Sequence, residues 1–298
     1  MPLFSLCVLF RRATLAACAA LLVACAAAPR DAGSAKLALV IGNAAYDNAP
    51  ALVNPVNDAA DMCAALTRLG FKTLCHTNVR DRAEFDAVVK NYVDRLGPQS
   101  VGVFYYSGHG VQAGNANYLI PTQVQPAVAT EDPRRVLYGV EDLYVQLRTK
   151  PVKFQLVVLD ACRTDLFAQA PRQPAGRGPN TVARSSLIRA LEIAGAGGNG
   201  LGPINDAPPA TMVFYATAAK DAAFDGEGRN GPLTKHILLH IGTRGQLVED
   251  FIKSVTVGVE TETLRDYRKR QTPFIYGSFS GKFCFAGCPG EGWVPPLN

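Results

Sequence analysis

Two stretches decide the reading: Val101-Gly102-Val103-Phe104-Tyr105-Tyr106-Ser107-Gly108-His109-Gly110, and Val152-Lys153-Phe154-Gln155-Leu156-Val157-Val158-Leu159-Asp160-Ala161-Cys162-Arg163. Each opens as a short apolar run, the pattern of a strand buried on both faces inside a parallel sheet. The runs predict strands over Val101–Tyr106 and Val152–Leu159. Each runs straight into a residue with chemistry, His109 after the first and Cys162 after the second. In open α/β sheets built from right-handed crossovers, ligands sit beyond the carboxyl ends of the strands. Both tails therefore belong on one edge, where an imidazole and a thiol can meet.

The flanking sequence supplies the rest of such a sheet. Lys36–Gly42 is another continuous apolar run, and Asn57–Leu69 has helical spacing of Ala60, Cys63, Ala64 and Leu66, stopped by Gly70. Phe71–His76 reads as the next strand. Asp81 with Glu84 three residues on marks the start of an amphipathic helix through Phe85, Val88, Val89, Tyr92 and Leu96. Residues 168–210 are rich in Pro, Gly, Ala and Asn and predict a long exposed loop. Thr211–Thr217 restores a strand, Leu233–Ile241 and Leu247–Leu264 are helical, and Phe274–Phe285 has β character. The alternation predicts a mainly parallel β-sheet with helices on both faces, a three-layer α/β/α domain over residues 36–285 followed by a tail at 286–298.

Composition agrees with one folded catalytic unit. Of 298 residues, 48% are hydrophobic and 18% charged, which excludes a disordered chain. Arg11-Arg12 precedes the apolar run Ala13–Ala24, too short to span a bilayer comfortably and laid out as an export signal. Leu22-Val23-Ala24-Cys25 resembles a bacterial lipobox, which would make 1–24 a signal peptide, Cys25 a lipidated mature N-terminus and 25–35 a tether. An ordinary signal peptide cut near Ala26–Ala28 is the alternative. Loss of Arg11 and Arg12 takes the formal charge from +5 to +5 − 2 = +3, too weak a bias to argue for nucleic acid, and no basic stripe with interleaved aromatics is present. The expected location is the bacterial cell envelope, membrane-anchored and facing the periplasm.

Export favours disulfides over idle thiols. After Cys25 the cysteines are Cys63, Cys75, Cys162, Cys284 and Cys288. Cys284 and Cys288 are close in sequence, and Cys63 and Cys75 could meet where a helix packs on its following strand. Alternatively, Cys63 and Cys75 are buried small hydrophobes. Either way Cys162 is the odd thiol. Cys284 and Cys288 do not assemble into a complete metal site.

A thiolate attacks a carbonyl where a thiol does not, and a free cysteine with a pKa of about 8.5 is mostly protonated at neutral pH. His109 can take the Cys162 proton and later give it to the leaving amine. Glycines beside His109 let a backbone N–H approach the reacting carbonyl. The N–H groups of Gly110 and Cys162 would then form an oxyanion hole, in which one donor is worth ~3 kcal/mol.

Tyr105-Tyr106-Ser107-Gly108-His109-Gly110 and Leu159-Asp160-Ala161-Cys162-Arg163 resemble the His and Cys motifs of the caspase and metacaspase family, peptidase family C14. Their separation, 162 − 109 = 53, matches the spacing of a caspase His about 50 residues upstream of its Cys. The likeness extends from Lys36 to Phe285 through Ile41-Gly42-Asn43-Ala44-Ala45-Tyr46, Asn57-Asp58-Ala59 and Gln271-Thr272-Pro273. It implies a caspase-like fold and a cysteine endopeptidase that works through a thioester acyl-enzyme. Asp160 stands where caspases carry Gln, and Thr164 where they carry Gly, which points to the metacaspase branch. By that resemblance Asp160, Asp58 and Ser107 line the S1 pocket. Two carboxylates there repel unless a cation joins them, so the implied substrate is a protein or peptide with Arg, then Lys, at the cleavage site.

Many metacaspases bind calcium through an aspartate cluster. Near Tyr118-Leu119-Ile120-Pro121 this chain offers Gln123 rather than an acid, so no metal or other cofactor is expected. Arg172, Arg177, Arg184 and Arg189 lie in the long loop, where self-cleavage would fall. Other readings of the same residues are a helix cap at Asp58, a backbone-bonded acid at Asp160 and a turn serine at Ser107. For the whole chain, the alternatives are a catalytically silent envelope scaffold on this fold, with the loop and the tail around Trp293 as contact sites, and a cell-wall hydrolase with a Cys-His pair on another fold.

Overall fold

The computed structural model describes residues 36–113, 116–162, 201, 207–217, 223–224 and 226–290. The signal, Cys25, the tether, Trp293 and the four loop arginines lie outside them.

Strand β1 (Lys36–Gly42) pairs in parallel with β2 (Lys72–Thr77) on one side and β3 (Val101–Ala113) on the other. Beyond β3 follow β6 (Phe154–Cys162) and β7 (Thr211–Tyr215), also parallel, and then β8 (Phe274–Gly277), antiparallel at the edge. The order is β2-β1-β3-β6-β7-β8. Alternate residues of these strands feed two separate cores, as the two-residue period of a strand requires. On one face Val40, Val103, Tyr105, Leu156, Val158 and Phe214 pack under α1 (Pro55–Arg68), α5 (Pro232–His240) and α6 (Val248–Tyr267). On the other, Leu39, Phe104, Tyr106, Val157, Leu159 and Val213 pack under α2 (Arg82–Asp94) and, after the short helix α3 (Pro126–Glu131), α4 (Val140–Arg148). The three-layer α/β/α architecture is the expected one.

Local chemistry explains the joints. The β1 turn into α1 needs Gly42, because a Cβ there would stand 2.2 Å from the Pro55 carbonyl oxygen and 2.7 Å from Ala59 Cβ. Pro55 opens α1 at a position where its missing N–H costs nothing. Asp81 caps α2 by accepting from Glu84 N at 2.8 Å, while Glu84 reaches back to Arg80 N at 2.9 Å. Disulfides join Cys63 of α1 to Cys75 of β2 and Cys284 to Cys288.

The structure departs from the sequence expectations in five places. The third strand does not end at Tyr106. It continues to Ala113 and folds back through β4 (Ala116–Leu119), which pairs with β5 (Tyr138–Gly139), because Val111, Tyr118 and Ile120 find a small core of their own with Tyr46, Val124 and Leu137. The fourth begins at Phe154 and runs to Cys162, carried on by its pairing with β3. The late strand stops at Gly277, since Phe279, Phe283 and Phe285 turn instead to fill the core around Phe154 and Phe251. The loop is not exposed throughout: Leu201 is 1% exposed and joins the core beneath Gly110 and Ala161. Finally, the fold runs past Phe285, with Ala286 and Cys288 buried and Gly245 N donating to the Gly287 carbonyl at 3.0 Å.

Candidate active site

The ladder between β3 and β6 brings the candidates together. Its last three rungs are Ser107 opposite Asp160, Gly108 opposite Ala161, and His109 opposite Cys162. The backbones of the candidate base and nucleophile are therefore neighbours across one strand spacing, about 4.8 Å.

His109 is buried, 4% exposed, with its Nε2 2.7 Å from the Pro50 carbonyl oxygen. A carbonyl only accepts, so Nε2 carries the hydrogen and Nδ1 carries the basic lone pair. The ring of Tyr46 lies 4.5 Å from the imidazole. Ile120 N donates to the His109 carbonyl at 3.1 Å, so the peptide groups of His109 face away from β6. Successive residues of a strand alternate, which turns the N–H of Gly110 toward the end of β6 and Cys162.

Two rungs down, Ser107, Asp58 and Asp160 share a pocket with Leu52, Asn54, Pro55, Gly108, Ala223, Phe224 and Gly231. Asp58 is 2% exposed. It does not cap α1, which starts three residues earlier at Pro55; its Oδ2 accepts from Ser107 Oγ at 3.1 Å and its Oδ1 from Gly231 N at 3.1 Å. Ser107 thus serves the acid rather than a turn. Burial, and then the charge of Asp160, push the Asp58 carboxyl up to about 7, against hydrogen bonds from Asn230, Gly231 and Ser107 that hold it down. Asp160 accepts from Thr234 Oγ1, and Thr234 Oγ1 in turn meets the hydroxyl of Tyr105. Burial and the two carboxylates hold the Tyr105 phenol far above its ordinary value, so it stays a neutral donor. Just outside, Arg229 forks onto Asp61, one turn after Asp58, with Nε at 2.8 Å and Nη2 at 3.0 Å, and secures the segment that carries Gly231.

Several of these residues escaped the sequence reading. Pro50 acts through its backbone carbonyl, which no residue-type pattern signals. Gly231 and Thr234 belong to a helix start more than 70 residues beyond Asp160. Tyr46 stands at the end of Ile41–Tyr46, a stretch noticed for its strand and not for a hydroxyl. Among the described residues, no group of three or more His, Cys, Asp or Glu side chains is placed to hold a metal ion.

The model of the Peptidase C14 caspase domain matches residues 35–284. Human mucosa-associated lymphoid tissue lymphoma translocation protein 1 is 26% identical over 132 residues, 43% of this chain and 15% of that protein. Its mouse homolog is 25% identical over 130 residues, again 43% and 15%. The chain thus spans about a seventh of the length of these relatives. Among solved structures, caspase-1 from Spodoptera frugiperda superimposes with a TM-score of 0.57 at 11% identity, covering 87% of this chain and 92% of that one, a likeness of fold.

Proposed function

Because the chain belongs to the caspase-domain family of cysteine peptidases, we propose that it is an endopeptidase that cuts after Arg, and less readily Lys, with Cys162 as nucleophile and His109 as base. The observation that carries the specificity is the acid pair of buried Asp58 and half-buried Asp160, in a pocket two rungs from the Cys162 and His109 backbones.

In this reading a substrate guanidinium enters between the two carboxylates and relieves their repulsion, an attraction that burial makes worth more than in water. His109 Nδ1 takes the thiol proton. The Cys162 thiolate adds to the scissile carbonyl, whose oxygen gathers negative charge beside the N–H groups of Gly110 and Cys162. Collapse expels the amine, which takes the proton from Nδ1, and leaves a thioester. Water, deprotonated by the same nitrogen, then adds to the thioester and releases the acid and the thiol. Pro50 keeps the tautomer that this sequence needs throughout.

The same reading places the enzyme in the cell envelope, held by a lipid on Cys25. The two disulfides support an oxidising compartment. It also makes the arginines of the loop candidate sites of self-cleavage.

The test uses matched reporter peptides ending in Arg, Lys, Asp or Ala, with Cys162→Ala as control. Cleavage after Arg and Lys that disappears in Cys162→Ala is expected. Cleavage after Asp would retain the nucleophile and base but overturn the acidic pocket, and no cleavage by folded, reduced protein would favour the scaffold.

A further inference from the structure

Two tyrosine hydroxyls converge on the peptide groups of the candidate base. His109 N–H donates to Tyr46 Oη at 2.8 Å, and Tyr106 Oη donates to the His109 carbonyl at 2.8 Å. The two hydroxyls lie 3.4 Å apart. The Tyr46 oxygen receives the His109 N–H, and Tyr106 directs its one proton to backbone carbonyls, that of His109 at the shorter distance, which orients the Tyr46 proton toward Tyr106. The result is a closed circuit of hydrogen bonds, N–H to Tyr46 to Tyr106 to C=O, that begins and ends on one residue.

The residue before the histidine makes this possible. A Cβ on Gly108 would stand 2.6 Å from Tyr46 Oη and 2.7 Å from Tyr106 Oη, so any other side chain would displace both hydroxyls. Tyr46 also lays its ring 4.5 Å from the imidazole, and Tyr106 is anchored from behind by Phe85, with ring centroids 6.0 Å apart. Tyr106 Oη reaches the Ile120 carbonyl as well, at 3.2 Å, a carbonyl that also accepts from Asn43 Nδ2 at 3.1 Å. The circuit is thus tied to β1, β3 and the start of the loop after β4.

We propose that Tyr46 and Tyr106 are positioning residues for catalysis: their hydroxyl circuit fixes the two peptide planes that meet at His109, and through them both the imidazole and the N–H of Gly110. This rests on the peptidase reading above. A displacement of about 1 Å in such groups can cost roughly a hundredfold in rate, whereas substrate grip through Asp58 and Asp160 does not depend on it.

The test compares Tyr46→Phe, which keeps the ring and removes the hydroxyl, with Tyr106→Phe and with Tyr92→Phe. Tyr92 is an equally buried control whose hydroxyl donates to Gln155 Oε1 at 2.9 Å, away from the site. Two assays are run: steady-state kcat and KM on an Arg peptide, and the pH profile of Cys162 alkylation by a haloacetamide, which follows the thiolate. Expected are a roughly ten- to hundredfold lower kcat at unchanged KM for Tyr46→Phe and Tyr106→Phe, an alkylation profile moved to higher pH, and wild-type values for Tyr92→Phe. Wild-type kcat and alkylation in Tyr46→Phe, or an equal loss of kcat in Tyr92→Phe, would overturn the proposal. Should the wild-type protein cut no peptide, the peptidase reading falls, and the alkylation profiles still decide the circuit.

Discussion

Two rungs of one ladder carry the site, Ser107 with Asp160 and His109 with Cys162, and they are built on opposite principles. Around the first, two acids share a pocket and burial pushes Asp58 up to about 7, so the region is electrostatically incomplete until a cation arrives. Around His109 every named contact is a neutral donor meeting an acceptor: Nε2–H to the Pro50 carbonyl, N–H to Tyr46, and the carbonyl to Tyr106 and Ile120. Those contacts are in place before substrate comes. Recognition here stores repulsion that the right side chain relieves, and catalysis stores geometry. Changes at the first rung should therefore act on KM, and changes around the second on kcat.

The largest effect that could break this division comes from the acids. In Asp160→Asn and Asp58→Asn, one carboxylate facing the substrate guanidinium is lost. Loss of one partner of a buried charge pair costs about 3–5 kcal/mol, and a few hundredfold in kcat/KM is expected, nearly all in KM. A matched peptide with citrulline in place of Arg serves as the neutral reference. Steady-state rates should separate wild type from variants with Arg and bring them close with citrulline; an equal loss with both peptides would mean that the acids support the fold rather than the substrate.

How much of this was legible in the sequence follows from what kind of signal each part carries. The buried strands were readable because parallel strands covered on both faces are written as unbroken apolar runs, as in Leu37–Ile41 and Leu156–Leu159. The β4–β5 ribbon was not, because Ala116–Leu119 and Tyr138–Gly139 are too short to show a period, and their partner Val111 looked like loop beyond the Ser107–Gly110 motif. Within the site, His109 and Cys162 announce their chemistry by residue type. Asp58 was placed by resemblance, yet its raised carboxyl depends on burial and on Asp160, facts of packing that composition does not contain. Pro50 and Gly231 act through backbone atoms that every residue possesses, and Thr234 is one threonine among many until α5 is docked against β6.

A medium-sized effect sharpens the comparison through pH. A carboxyl whose folded value lies above its unfolded value of about 4 makes the native state hold a proton that the unfolded chain has released. Stability of the substrate-free protein therefore falls as pH rises from about 4 to about 7 and levels off above that, and Asp58→Asn should lose this part of the slope. Arg binding has the opposite sign: it draws on the ionised acid, so KM for an Arg peptide should fall as pH rises through about 7. Melting temperatures across this range, with and without an Arg peptide bound to Cys162→Ala, check both signs. A peptide-induced shift that shrinks as pH rises would contradict the assignment of Asp58 to the cation.

The smallest expected effect lies one shell away, at Thr234. Its hydroxyl stands between the Tyr105 hydroxyl and Asp160, in a position that is fully buried. Tyr105 is held neutral and can donate, which leaves Thr234 to pass its own hydrogen to Asp160 Oδ2. Thr234→Val keeps the shape and removes both links. Asp160 then has one contact fewer to fix its direction, and a hydrogen bond to a charged group is worth roughly 1.5–3 kcal/mol before the acid turns to other partners. KM for Arg should rise several-fold while kcat holds, and Thr234→Ser should restore it, because Ser keeps the hydroxyl and gives up the methyl. If Thr234→Val lowered kcat instead, the two rungs would not be separable, and the acid pocket would have to be counted among the groups that hold His109 and Cys162 in place.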